Sequence, residues 1–249
     1  MNTATRPDWL TAAQEHYTDT AARELIAAAW ELAARTPTPP DERSQMLIKL
    51  LLDLRGDASL LAAGLLVAPW RKKHLDAEAL AESPCKAVTP LLQALDDLSL
   101  IDQLHEQEQS DLERLRKMLL AMASDMRAVI LKLALQVVLM RDLSRYTAAE
   151  QQRLALQTRD LLAPLANRLG IAQLKWELED RALRVLEPDI YQEISGELEG
   201  KRVDRERYIA RIIDLLRYKL ADAGVTVKRL YGRVKHINSI YLKMKRKGL

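Results

Sequence analysis

The sequence predicts an all-α fold, and three observations carry that expectation. Leu and Ala dominate, Phe is absent, and Gly and Pro number only 8 and 9 among 249 residues, a composition that favours helix. Apolar residues recur at helical spacing along most of the chain. Two segments open on Ser or Thr with Glu three residues later, the pattern that satisfies first-turn amides reciprocally. Hydrophobic and charged contents of 48% and 29% are those of an ordinary soluble globular protein. The length suffices for one large domain or two small ones.

Residues 20–35 place Leu25, Ile26, Ala29, Trp30, Leu32 and Ala33 on one helical face, and Pro37, Pro39 and Pro40 close that segment. Asp41 caps the next helix, whose apolar side carries Met46, Leu47, Leu50, Leu51 and Leu54. Gly56 ends it, and Asp57 can cap Ala58–Val67, a run that Pro69 is expected to stop. A short helix near 75–82 and another from about 84 to 99 follow. The box Ser110–Glu113 opens a helix to about Ala123, and Thr147–Glu150 one to about Leu169, with Gly170 just past its end. Pro164 is expected to kink or split the latter.

Between the boxes, Ala128–Met140 is apolar nearly all round, as a buried helix is. At about 13–18 residues, with Lys132 inside and Arg141-Asp142 at its end, it reads as a core helix and is too short for a membrane span. Ile171–Leu186 and Ile209–Ala223 complete the helical part. The polar stretch Glu197–Arg207, with Gly200, is the best candidate boundary. The polar start, Met1–Asp8, lacks an apolar signal core and reads as a natural N-terminus; with a single cysteine, Cys85, it points to a cytoplasmic protein.

Charge is distributed unevenly. From Ala223 onward there is no acidic residue but eight basic ones, which leaves 30 basic against 35 acidic residues upstream. Such asymmetry points to a polyanionic ligand. On a helix, Lys235, Ser239, Lys243 and Arg246 share one face, and Ile237, Ile240, Tyr241 and Met244 the opposite one. Val225–Tyr231 reads as a short strand broken by Gly232. A strand, a glycine turn and a basic helix N-terminus together suit a phosphate; a solvated basic face is the alternative the pattern leaves open.

Upstream, catalytic patterns are missing. His16, His74, His105 and His236 show no zinc or manganese spacing, and Cys85 has no histidine partner by motif. No glycine-rich phosphate loop and no Gly-x-Ser-x-Gly elbow occurs. The residues alone therefore offer no catalytic or metal-binding set.

Two runs carry a resemblance to a known family. Leu161–Asp180 (LLAPLANRLGIAQLKWELED) resembles the segment that joins the two catalytic regions of long RelA/SpoT proteins, the bacterial enzymes that make and degrade (p)ppGpp. Tyr231–Met244 (YGRVKHINSIYLKM) resembles the opening of their synthetase domain. Weaker likeness runs through Leu51–Leu66 and Arg114–Leu143. The resemblance implies a His-Asp (HD) hydrolase-like helical domain over 1–146, a connecting helical bundle over 147–200, and the first strand and helix of an α/β synthetase over 201–249.

Hydrolysing members of that family hold one metal with His, His-Asp and Asp ligands beside a water-activating Glu-Asp pair. Aligned on Asp53-Leu-Arg55 and Lys132-Leu-Ala134, the chain has Arg43 at the first His position and Val67-Ala68 at the His-Asp dipeptide. Arg71 and Lys72 replace the Glu-Asp pair, Leu135 the later Asp, and Leu139 a substrate-pocket Asn. Alkyl and cationic groups cannot ligate a divalent metal. The resemblance thus implies a dead hydrolase of the synthesis-only, RelA-like type, its vacated site filled with hydrocarbon and its catalytic and metal residues absent.

Carried over by position, Arg233, Lys235, Ser239 and Lys243 would contact ATP, although Val234, Asn238 and Leu242 depart from the usual Pro, Tyr and Arg. ATP, GTP or GDP and Mg²⁺ would belong to a longer synthetase, of which this chain reads as the N-terminal part. Ribosome and tRNA contacts would be made through C-terminal domains that this chain lacks. Two other readings compete: an unusual but active phosphohydrolase, and a helical module binding RNA or a partner through its basic end, where Tyr231 and Tyr241 could stack. Uncovered Ile240, Tyr241 and Met244 are also compatible with a dimer.

Overall fold

The computed structural model describes residues 7–107, 125–199, 202–232 and 235–248. Its helices begin where short polar side chains can take up free amides. Asp41 accepts from the Ser44 amide at 3.0 Å while Ser44 Oγ accepts from the Asp41 amide at 3.3 Å, and this box starts α3 (Glu42–Asp53). Asp19 starts α2 (Thr20–Ala34), Asp57 starts α4 (Ala58–Arg71) and Asp76 starts α5 (Ala77–Ala81). The predicted box at Thr147 and Glu150 opens α8 (Ala148–Gln157). The helix predicted from Ser110 lies outside the described residues. The rest of the bundle is α1 (Asp8–Glu15), α6 (Thr89–Gln107), α7 (Met126–Arg141), α9 (Ala163–Arg168), α10 (Ala172–Leu186), α11 (Pro188–Glu199), α12 (Arg202–Asp222) and α13 (Ile237–Lys247).

Two local expectations need correction, and a third is met by a π turn. Pro69 does not stop α4, which runs on to Arg71. The helix ends instead on a left-handed turn at Lys73 (φ 58°), where the Lys73 amide donates to Trp70 and the His74 amide to Pro69. The helix around Pro164 is divided as expected, by a π turn over Thr158–Leu162 that precedes the proline and separates α8 from α9. The wider turn shifts the carbonyl that would otherwise face the proline ring. Finally, 225–232 holds no strand, and no described residue elsewhere is in one. Without a partner strand, the alternation of Val225, Val227 and Arg229 has no ladder to join.

Helix α7 is the axis of the bundle. It packs on α3, α4, α6 and α10. Ala128, Val129, Leu131, Leu133, Ala134, Val137 and Val138 are buried in one apolar core that extends from Leu10 to Leu178. Each buried leucine there contributes roughly 1.5–3 kcal/mol. A smaller cluster of Met140, Leu154, Ala155 and Ala182 joins the end of α7 to α8 and α10. At the other end, Arg127 bridges Asp57 at 2.9 Å and Asp125 at 2.6 Å, clamping together the residues that cap α4 and α7. No helix among the described residues is long and apolar enough to cross a membrane.

Helix α10 makes two polar attachments. Glu177 receives both arms of Arg141, each at 2.7 Å, and Arg181 Nε at 2.8 Å. Burial pushes the Glu177 carboxyl up, but the hydrogen bonds from Arg141 and Arg181 outweigh it and hold the group below its ordinary value. One turn on, Asp180 caps a different helix. The Asn238 amide donates to Asp180 Oδ1 at 2.8 Å, His236 Nδ1 lies 3.4 Å from Oδ2, and the His236 ring stacks on Trp176 at 4.8 Å. His236, the N-cap of α13, gives no side-chain cap of its own; Asp180 supplies it from outside the helix.

Two predictions follow from these attachments. A carboxyl held below its ordinary value stabilises the fold above that value and loses the contribution as pH falls through it. Glu177→Gln is expected to lower stability at pH 7 and to make the acid unfolding limb shallower, because Asp125 and Asp142, also held low by arginines, still titrate. An unchanged limb in pH-dependent denaturation would contradict this. Removing the cap in Asp180→Ala is expected to cost about 0.5–2 kcal/mol locally. Hydrogen exchange should then show lost protection at residues 237–240 and none at α4 or α7.

Candidate functional site

A cavity of about 770 Å³ opens between α3, α4, α6, α7 and α8. Its walls include Arg43, Val67, Ala68, Arg71, Lys72, Leu135 and Leu139, every position that the family resemblance assigns to a hydrolase residue. Residues up to 96 positions apart in the chain are thus brought to one chamber. The expectation that hydrocarbon fills the space between these positions does not hold, since a cavity is open there. Val67 and Ala68 are smaller than a His-Asp pair, and Leu135 and Leu139, on the least buried side of α7, line the space without closing it.

The chamber's charged groups are mostly cationic. Arg43, Arg71, Lys72, Lys73, Lys132 and Arg153 line it, against the carboxylates of Asp41 and Asp96. Arg43 turns toward the end of α7, where its Nη2 donates to Asp142 at 2.8 Å. That bond raises the Arg43 guanidinium above its ordinary value and holds the Asp142 carboxyl below its own. Arg71 Nη2 lies 3.5 Å from Ser99 Oγ. Lys132 is 8% exposed, a nearly buried ammonium on the cavity wall. Gln136, also on the wall, donates to Thr158 at 2.8 Å and ties α7 to the π turn.

A divalent metal, which the fold would hold with histidine and carboxylate donors, does not fit this lining. Among the described residues, no histidine lines the cavity. Asp41 is engaged in capping α3, and Asp96 accepts the Trp70 indole N–H at 2.7 Å. Among the described residues, no group of three or more His, Cys, Asp and Glu could hold a metal ion. Cys85 is buried, and burial pushes its thiol up to about 11, with Ser83 opposing weakly; a nucleophilic thiolate is not favoured there.

The second candidate region is the basic end. Helix α13 presents Lys243 and Arg246 to solvent and half-buries Ile237, Ile240, Tyr241 and Met244, as its periodicity predicts, while Lys235, placed on the helix by the sequence reading, lies exposed just before its N-cap. Ser239 stands in its first turn; Arg233 lies outside the described residues. Gly232 is needed for close passage over α12, since a Cβ there would sit 2.5 Å from Ile209 Cγ2. The helix N-terminus, however, is not open to a phosphate in the manner the sequence suggests. Asp180 already occupies the Asn238 amide, so a phosphate would rely on the side chains of Lys235, Ser239 and Lys243. Sequence reasoning missed the roles of Asp180, Trp176 and His236. Their signal was available only in retrospect: the two runs that carry the family resemblance each contribute one side of this contact.

The HD-domain family matches residues 21–172. Over 195 residues, 78% of this chain, the sequence is 38% identical to a probable guanosine-3′,5′-bis(diphosphate) 3′-pyrophosphohydrolase of Synechocystis sp.. It is 39% identical over 82% of its length to a GTP pyrophosphokinase of Haemophilus influenzae, and 36% identical over 91% to one of Escherichia coli K12. The chain covers 26%, 28% and 32% of those three proteins. It therefore spans about a quarter to a third of the relatives it matches. With an all-helical domain of this kind and such similarity over most of its length, the chain belongs to the HD-domain proteins of the RelA/SpoT family.

Proposed function

We propose that this helical region is a hydrolase-derived module that does not break down guanosine 3′,5′-bis(diphosphate), and that it has a structural or regulatory role beside a pyrophosphate-transferring synthetase. In that reading the synthetase begins near Tyr231–Met244 and passes pyrophosphate from ATP to the 3′-hydroxyl of GTP or GDP with Mg²⁺. Lys235, Ser239 and Lys243, with Arg233, would hold ATP phosphates. The supporting observation is the lining of one cavity: seven expected site positions face it, and none carries an imidazole or a carboxylate.

The chemistry of that lining supports this reading. Metal-assisted hydrolysis needs a cation to lower the pKa of water and a base to take its proton. The groups at the positions of the water-activating pair, Arg71 and Lys72, are protonated at neutral pH and accept no proton. Their charge also raises the cost of bringing a divalent cation nearby. The attachment of α13 to α10 through Asp180 gives the module a rigid connection to the basic segment.

Incubation of the chain with guanosine 3′,5′-bis(diphosphate) and Mn²⁺ is expected to release no pyrophosphate above the protein-free blank. Elemental analysis is expected to find less than stoichiometric manganese, iron or zinc. Turnover accompanied by one bound metal per chain would overturn the proposal.

A further inference from the structure

We infer that the groove between α1, α2 and the start of α3 docks an extended, proline-containing polypeptide segment that carries a basic residue. The groove shares only Pro39 and Asp41 with the cavity, and the inference does not depend on what the cavity does.

The groove encloses about 520 Å³, within the range of recognition sites. Trp9 of α1 and Trp30 of α2 line it and meet edge to face, with ring centroids 5.5 Å apart and planes at 84°. Pro39 and Pro40 line it as well, and their fixed φ keeps that wall preformed. Indoles and prolines offer flat hydrocarbon with little rotamer freedom to lose. Aromatic-lined grooves of this kind take polyproline II segments, whose rings pack on the indoles and whose carbonyls have no internal partners.

The polar groups of the groove carry the inference further. Trp30 is 8% exposed, yet neither its indole N–H nor that of Trp9 donates a hydrogen bond among the described residues. Buried indole N–H groups ordinarily have an acceptor, and a backbone carbonyl of a docked segment would supply one. The Gln45 side chain also makes no hydrogen bond among the described residues. Asp41 uses only Oδ1, which accepts from the Ser44 amide at 3.0 Å and the Ser44 hydroxyl at 3.2 Å. Its Oδ2 and the exposed Glu42 carboxylate make no ion pair among the described residues. Capping and the helix dipole account for acids at the start of α3, but not for indoles without acceptors beside them. Carboxylates next to indoles suit a guanidinium or ammonium, through charge-assisted hydrogen bonds and cation–π attraction.

The test uses the full chain and synthetic peptides. A fluorescently labelled peptide of three Arg-Pro-Pro repeats is the probe, and Glu-Pro-Pro and Arg-Gly-Gly repeats of equal length are the comparisons. Fluorescence polarisation is expected to show the probe binding about tenfold or more tighter than either comparison. In nitrogen–proton correlation spectra, adding the probe should move the indole N–H signals of Trp9 and Trp30 and leave those of Trp70 and Trp176 in place. Trp9→Phe with Trp30→Phe removes both donors but keeps aromatic rings, and should weaken the probe by about tenfold or more. Should that pair fail to fold, Glu42→Gln alters only an exposed side chain and should weaken the probe by about threefold. Absence of binding to the unmodified chain would overturn the inference. So would equal binding of Arg-Gly-Gly repeats, which would mean bare charge attraction, or binding that leaves the Trp9 and Trp30 signals unmoved.

Discussion

The structure depends on one buried helix. Residues Met126–Arg141 contact four other helices, and their leucines and valines supply the middle of the core. Because α7 is fixed on so many sides, it cannot move inward to fill space beside it. Closing the cavity would require α7 or α4 to shift, and α4 is itself seated against α3 at Gly64. A Cβ at Gly64 would lie 3.0 Å from Leu51 Cδ1 and 3.1 Å from Ile48 Cδ1, so these helices already touch as closely as a glycine permits. Protein interiors are close-packed and relax only partly around missing volume. The chamber therefore stays open between α3, α4 and α7.

Charge decides what the chamber can host. Substituting alkyl groups alone would have given a dry apolar void. Here the rim and one wall carry cations instead, and two short ion pairs lie at its margins. Arg43 is held by Asp142, and Arg141 by Glu177. These pairs are partly shielded from solvent and hydrogen-bonded, which makes them less prone to screening than exposed ones. Lys72 and Lys73 are exposed and are not drawn into such pairs among the described residues. A field of one sign at the mouth of a cleft with apolar walls attracts anions and repels metal ions.

Much of the architecture was legible because capping is local chemistry. Asp41, Asp57 and Thr147 each begin a helix where their sequence context says they should, since the amides they satisfy lie within three residues. The burial of Ala128–Met140 was legible from its lack of a polar face. What failed was whatever depended on distant partners. Val225–Tyr231 has strand-forming residues but no strand beside it, and Pro69 is overridden by a turn that begins after it. The cavity positions were found through the resemblance, because residues on α3, α4 and α7 share no local pattern. The open space between them could not be found that way, since volume is set by how helices pack and not by any one segment. Asp180 escaped notice for the same reason: its partners are 56 and 58 residues away, at His236 and Asn238.

That last contact has a consequence for how the two candidate regions relate. Trp176, Glu177, Asp180 and Arg181 occupy adjoining turns of α10. Glu177 grips Arg141, the end of the helix that walls the cavity, while Asp180 and Trp176 grip the start of α13. The same two turns therefore hold the cavity helix and the basic helix in one frame. Charge reinforces the arrangement, since Arg141 and Arg181 both bind Glu177 and a helix N-terminus favours the anionic Asp180. Proximity alone does not transmit a signal. What the shared turns supply is a fixed spacing between Arg141 at the cavity helix and Asn238 at the start of the basic helix.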